Sequence, residues 1–248
     1  MSERKEILRT ENLTIKFGGL VANNNVNVHL YEGEILGLIG TNGAGKTTLF
    51  NMLAGALKPT SGKIYYRGKD ITGKPADKIC KMGIGRTYQV VQPFTDLTVE
   101  ENVMVGCLNR HSNVERARKR ADEILEELGL GKHIHTKGAN LGLPQLKRME
   151  IARALATEPD IILLDEVMAG LNPAECAEAI ELVKNLRDKG YTIIMIEHIM
   201  KAVMSVSDRI YVLNQGVVIA EGTPEEVSTN QEVIDSYLGG AKRNAKAK

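Results

Sequence analysis

Cysteine is scarce in this sequence: Cys80, Cys107 and Cys176 stand far apart and are odd in number. A disulfide framework needs pairs and a zinc site needs close ligand spacing, so neither is expected, and such thiols suit a reducing cytosol. Neither sign of charge is in excess. The 248 residues hold 32 Lys+Arg against 31 Asp+Glu, and a net charge of +1 gives no electrostatic ground for general nucleic-acid binding. Long apolar runs are missing too. "IILL" and "TIIMI" have the length of buried strands, far short of the ~18 residues a membrane-spanning helix needs. The opening "MSERKEILRTEN" has charges but no apolar stretch of a secretory signal. Repeats and low-complexity segments are also lacking. The expectation is a soluble chain, large enough for one domain or for a core with a smaller lobe, whose membrane role, if any, comes through a partner.

What is present is an alternation of short apolar segments with helical ones. Periodicity predicts strands at 13–17, 26–30 and 35–39, then a helix from about Lys46 to Leu57. "KIYYRGKDIT" reads as a strand pair at an edge and "GIGRTYQ" as a short strand. From Leu97 to about Thr157 the pattern is helical. Strands return at 161–165, 191–196 and 209–213, with a helix over Pro173–Lys189 between them. Asn214–Gln215–Gly216 turns back into "VVIAEG", and Thr223 opens a last helix. This alternation predicts an α/β fold with a parallel sheet covered on both faces.

Gly40-Thr41-Asn42-Gly43-Ala44-Gly45-Lys46-Thr47-Thr48 lies between an apolar strand and that first helix and matches the P-loop pattern in full. Glycines allow backbone angles closed to other residues, so amide groups can approach phosphate oxygens. The helix start adds unpaired N–H groups and a positive dipole end. Lys46 supplies a charge for the β and γ phosphates, and the Thr47 hydroxyl is offered to Mg²⁺. A second buried strand, "IILLDE", ends on Asp165, the acid that organises Mg²⁺, and on Glu166, which orients and deprotonates an attacking water. His133 and His135 have no neighbouring ligand to complete a metal site and read as solvated loop residues. Met149, Met195 and Met200 read as core filler.

The P-loop, Gln89 after a short strand, "LGLPQ" at 141–145, "LLDE" and an isolated His198 follow one another in fixed order. In that order, from about Leu8 to Leu238, the chain resembles the nucleotide-binding subunit of an ABC transporter. "GIGRTYQ", "LTVEENV", "AGLNPAE" and "IAEGTPEEV" resemble, more narrowly, the ATPase subunits of branched-chain amino acid importers. The resemblance implies a P-loop NTPase of ABC type, with a mainly parallel core sheet, an antiparallel β subdomain and a helical subdomain. It divides a single domain over 1–240 into a RecA-like core plus antiparallel β region at about 1–96 and 158–222, a helical subdomain at about 97–157 and a C-terminal helix at about 223–238. A basic tail at 239–248 is expected to be disordered. It also implies roles: Phe17 stacks on adenine, Gln89 touches Mg²⁺ or the attacking water, and His198 reaches the γ-phosphate of ATP. Gln92 competes with Gln89, but "RTYQ" fits the pattern better. Val90, Val91, Phe94 and Leu97 are candidate contacts to membrane subunits.

In this superfamily the signature usually reads Leu-Ser-Gly-Gly-Gln and completes the ATP site of the opposite subunit. Here Leu141, Gly142 and Gln145 remain as nucleotide-binding candidates, while Gly142 removes a hydroxyl and Pro144 a backbone donor. Each hydrogen bond lost to a charged group costs about 1.5–3 kcal/mol. Pro144 suits a first helical turn, so the positive helix end is kept. The resemblance therefore favours a heterodimer with a second ABC ATPase subunit over a homodimer. It adds integral membrane permease subunits, an indirect link to a substrate-binding protein, no nucleic acid, and a peripheral place on the cytoplasmic face of the membrane. Thr41, Val167 and Asn172 are smaller departures, standing where proline, proline and aspartate are common. Rival readings are the ATPase of another ABC system, such as lipopolysaccharide-type export, and a soluble or regulatory ABC ATPase with weak hydrolysis.

Overall fold

A computed structural model describes residues 5–237 of the chain, so the tail expected at 239–248 lies outside the described residues. β1 (Glu6–Phe17) pairs antiparallel with β2 (Leu20–Val26), with β3 (His29–Tyr31) and, on its other side, with β5 (Ser61–Tyr66). The strand expected at 26–30 is therefore broken. In the gap between β2 and β3 the Thr10 hydroxyl of β1 donates to the Val26 carbonyl (3.0 Å) and accepts from the Val28 amide (2.9 Å), standing in for backbone ladder bonds to β1. β4 (Ile35–Gly40) is buried along its whole length and feeds the glycine-rich loop into α1 (Lys46–Leu53). This helix stops short of the expected Leu57. Gly55 turns left-handed at φ 74°, and the amides of Ala56 and Leu57 both fold back on the Asn51 carbonyl.

β6 (Lys69–Asp70) closes a hairpin on β5. α2 (Ala76–Met82) follows and was not expected, because Ile79 is its one buried residue and seven residues show no clear period. β7 (Ile84–Arg86) is the short strand read in "GIGRTYQ". The helical stretch holds α3 (Val99–Cys107), α4 (Val114–Glu127) and α5 (Leu143–Leu155), with two short 3₁₀ turns between the last two. Then come β8 (Ile161–Asp165), α6 (Pro173–Asp188), β9 (Thr192–Ile196), α7 (Met200–Val206), β10 (Arg209–Asn214), β11 (Val217–Gly222), α8 (Pro224–Thr229) and a further helix over 231–237.

The larger sheet has the order β11-β10-β4-β9-β8-β7, parallel throughout except for the edge strand β11. Successive residues of a strand face opposite sides, and the two cores divide accordingly. Ile162, Leu164, Ile193 and Met195 pack with α3, α4, α5 and α6, while Ile161, Leu163 and Ile194 pack with α1 and the antiparallel sheet. Met149 and Met195 are wholly buried; Met200 is partly buried against a third, smaller cluster around Ile39, Val212 and Val227. The sheet order puts the C-terminal ends of β4, β9, β8 and β7 side by side, where open α/β sheets bind their ligands.

The β10–β11 hairpin braces the loop after β4. The Gly216 amide donates to the Ala44 carbonyl at 3.0 Å, and a Cβ at Gly40 (φ 151°) would lie 2.1 Å from the Leu213 carbonyl oxygen. Gly40→Ala is therefore expected to push the hairpin off the loop and destabilise the fold by about 1–3 kcal/mol. A urea unfolding midpoint unchanged from the parent would contradict this close approach.

Candidate functional site

Gly45, the residue before α1, has φ 100°, and a Cβ there would lie 2.5 Å from the Ala22 carbonyl oxygen. Glycine is thus required both by conformation and by space. Lys46 starts the helix almost wholly buried. Its ammonium donates to the carbonyls of Gly40 (2.7 Å) and Thr41 (3.1 Å) within its own loop. Burial holds its pKa below the usual lysine value, and the charges of Glu166 and Asp165 pull the other way. The first amides of α1 have no intrahelical acceptor and face the same space. Residues Asn42, Gly43, Ala44, Gly45, Lys46, Thr47 and Thr48 line a cleft of about 1130 Å³ together with Phe17, Gln89, Glu166 and His198. Phe17 is 48% exposed there, beside the exposed Leu20 and Val21, which suits a stacking surface better than a core position. Gly40 and Thr41 are not among the lining residues; their part is to hold Lys46.

Two of the sequence candidates converge on the carboxylate of a third. Glu166 accepts from the Gln89 side-chain amide at 2.6 Å through Oε2 and meets His198 Nε2 at 2.5 Å through Oε1. Its backbone is left-handed at φ 50°, and its amide donates to the Ile196 carbonyl at 2.9 Å. That conformation is uncommon for a non-glycine residue and stores strain typical of functional sites.

Asp165, one residue earlier, is buried at the end of β8. Its Oδ2 accepts from Arg86 at 2.8 Å, while among the described residues the buried Oδ1 has no hydrogen-bond partner. Thr47, Gln89 and Asp165 line a second cavity of about 460 Å³. An unpartnered carboxylate oxygen, a hydroxyl and a side-chain amide form a hard oxygen set that fits Mg²⁺, which takes few protein ligands beside phosphate and water. Among the described residues no group of three or more His, Cys, Asp or Glu is placed to hold a metal ion.

Leu141, Gly142 and Gln145 are not brought to this cleft. They sit at the start of α5, where Gly142 is the N-cap without a side-chain cap bond and Pro144 lies in the first turn. The helix end is thus formed as expected, exposed at Gly142 and Leu143. Of the candidate membrane-subunit contacts, Val90 and Phe94 are exposed, whereas Val91 and Leu97 are half-buried.

Sequence reasoning missed three charged residues here. Arg86 ends β7, pairs with Asp165 and donates to the Asn51 side-chain oxygen at 2.5 Å. Glu197 follows β9 and accepts from the Met168 amide at 2.8 Å; burial pushes its carboxyl up to about 7. Lys147 lies inside α5. For Arg86 and Glu197 the available signal was a charge at the end of a short apolar strand, "GIGR" and "TIIMIE". Lys147 lies among other charged helix residues and gave no such signal.

Comparison with known proteins agrees with this geometry. The family described as ABC transporter matches residues 23–169, and one described as branched-chain amino acid ATP-binding cassette transporter matches 217–243. The chain is 45% identical over 251 residues to the high-affinity branched-chain amino acid transport ATP-binding protein LivG of Escherichia coli (strain K12), covering 95% of this chain and 98% of that one. The solved ADP conformation of an ATP-binding cassette of an ABC transporter superposes with a TM-score of 0.86 at 35% identity, covering 94% of this chain and 99% of that chain. A dimeric bacterial ABC transporter cassette superposes with a TM-score of 0.79 at 30% identity, covering 88% and 99%. With a P-loop cradle, an Asp–Glu pair at the end of β8 and relatives of this likeness, the chain belongs to the ABC transporter family as an ATP-binding, ATP-hydrolysing subunit.

Proposed function

We propose that this chain binds ATP with Mg²⁺ and hydrolyses it to power the import of branched-chain or related amino acids. The observation that carries the reading is the Glu166 carboxylate, held between Gln89 and His198 in the cleft that also contains Lys46. LivG, to which the chain is similar over nearly all its length, is a branched-chain amino acid transport protein, and that supports the choice of cargo.

In this reading Phe17 stacks on the adenine, and the loop amides with Lys46 hold the β and γ phosphates. Thr47, Gln89 and Asp165 hold Mg²⁺, which when bound supplies positive charge to the phosphate oxygens. Glu166 exchanges its present hydrogen bonds for one to a water, accepts a proton from it, and the water oxygen attacks the γ-phosphorus in line with the leaving ADP oxygen. His198 turns to donate to a γ-phosphate oxygen as charge builds there. ADP and inorganic phosphate are the products.

Among the described residues no helix is long and apolar enough to cross a membrane, so transport requires permease subunits. We place the chain on the cytoplasmic face, peripheral through those subunits, with 97–157 as the helical lobe that receives their motion. A substrate-binding protein acts on them from the other side. A related cassette is known as a dimer, and Gly142 and Pro144 weaken what this chain offers a partner's nucleotide. A heterodimer with an intact signature in the second ATPase subunit keeps this chain's own site at full strength.

Glu166→Gln is expected to bind ATP as the parent does, to lose roughly 10²–10⁴-fold in kcat and to trap a closed dimer. Phosphate release measured at parental rates would remove Glu166 from the role of base. Purified alone, the chain is expected to be a slow ATPase with a Hill coefficient near one. Fast, cooperative turnover by the isolated protein would contradict the heterodimer.

A further inference from the structure

Lys147 stands one turn into α5, yet its side chain runs inward and the residue is only 6% exposed. Among the described residues its ammonium has no carboxylate as a hydrogen-bond partner. It donates to two backbone carbonyls, that of Glu166 at 2.9 Å and that of Gln89 at 3.2 Å. Those two residues are joined a second time, by the 2.6 Å hydrogen bond between their side chains. The result is a closed ring: Lys147 to the Gln89 backbone, Gln89 side chain to Glu166 side chain, and Glu166 backbone to Lys147 again. Gln89, Lys147 and Glu166 come from three separate stretches of chain, and Lys147 is the member that belongs to the helix whose exposed end carries Gly142.

A buried ammonium is costly unless its donors are used, and each charge-assisted bond it makes is stronger than a neutral one. Burial lowers the Lys147 pKa, and the charges of Glu197, Glu166, Glu150 and Asp165 raise it. The carbonyl it holds belongs to a residue in the left-handed region, which needs outside support. That support comes from two sides. Lys147 holds the Glu166 carbonyl, and the buried Glu197 carboxyl holds the Met168 amide two residues on. Val167 between them is packed in the core, so the turn is fixed by these bonds although it lacks a proline.

We propose that Lys147 is a positioning residue that ties the place of α5 to the Gln89–Glu166 pair, so that engagement of the α5 end by the partner subunit's nucleotide sets the geometry of hydrolysis in this chain's own cleft. The inference rests on the reading of Glu166 as base. Sliding or rotating α5 moves the Lys147 ammonium, and the ammonium moves two backbone points at once. A lysine suits this better than a glutamine, because its longer stem spans the gap between helix and loops and its charge strengthens both bonds.

The test uses the assembled transporter in membranes, carrying Lys147→Met, Lys147→Arg or, as a control, Glu166→Gln. Lys147→Met keeps an unbranched apolar stem, one atom shorter, but donates nothing. It is expected to lower kcat roughly tenfold to a hundredfold, with KM and ATP affinity within about twofold of the parent. Its Hill coefficient for ATP is expected to fall toward one. Lys147→Arg, which still donates, is expected to recover most of the rate and of the cooperativity. If Lys147→Met instead loses ATP binding and melts early, and Lys147→Arg does not restore coupling, the residue is merely structural and the proposal is overturned. Parental kcat and cooperativity in Lys147→Met, with Glu166→Gln inactive, overturn it while leaving the base in place. An active Glu166→Gln variant overturns the reading beneath it.

Discussion

Lys46 carries a positive charge into a position only 5% exposed, and among the described residues its hydrogen bonds go to carbonyls and not to a carboxylate. A cation in such a place is tolerable because the loop's own oxygens cradle it, and it remains free to meet a polyanion. The rest of the site depends on keeping that ammonium where it is. Gly40 is pressed against the hairpin of β10 and β11, Gly45 against the start of β2, and α1 lies on the core through Leu49 and Phe50. No residue with a side chain satisfies those approaches. The glycines therefore place the charge as much as they free the amides.

The parallel sheet turns this into a catalytic site by neighbourhood. β4 ends at the P-loop, β9 ends before His198, β8 ends on Asp165 and β7 ends on Arg86. Because β9 lies between β4 and β8, Asp165, Glu166 and His198, far along the chain from the P-loop, arrive beside it. Arg86 and Asp165 neutralise one another in the interior but, among the described residues, leave one carboxylate oxygen without a partner. A buried acceptor in that state is costly, and a divalent cation or a water relieves it. Glu166 is kept apart from this pair by its left-handed turn, which directs it to Gln89 and His198.

Much of this was legible where local chemistry and periodicity agree. β8 was read with its observed bounds because four apolar residues run straight into an acid, and α6 was read to within one residue, its start fixed in the structure by a capping box of Asn172 and Glu175. P-loop residues Asn42 to Thr48 gather in one cleft with Phe17, Glu166, His198 and Gln89, while Gly40 and Thr41 stay outside it and hold Lys46. The losses have physical causes. The expected strand at 26–30 fails because a threonine hydroxyl replaces a backbone partner, and no pattern of apolar residues reports that. α1 ends early because a glycine takes a left-handed turn, and α2 is too short to show a period. Arg86, Lys147 and Glu197 were missed because a buried charge is defined by its partners, and those partners lie far away in sequence. The start of α5 gave its cap chemistry readily, with Gly142 at the N-cap and Pro144 in the first turn.

All of these arrangements have meaning only if the cradle around Lys46 takes a triphosphate. Titration calorimetry of the pure chain with Mg-ATP tests that most directly, with an unrelated nucleotide-binding protein run alongside as a control. Saturable heat from the parent, lost when Lys46 is replaced by alanine, is the result that follows from the geometry. No heat from the parent while the control responds would contradict it.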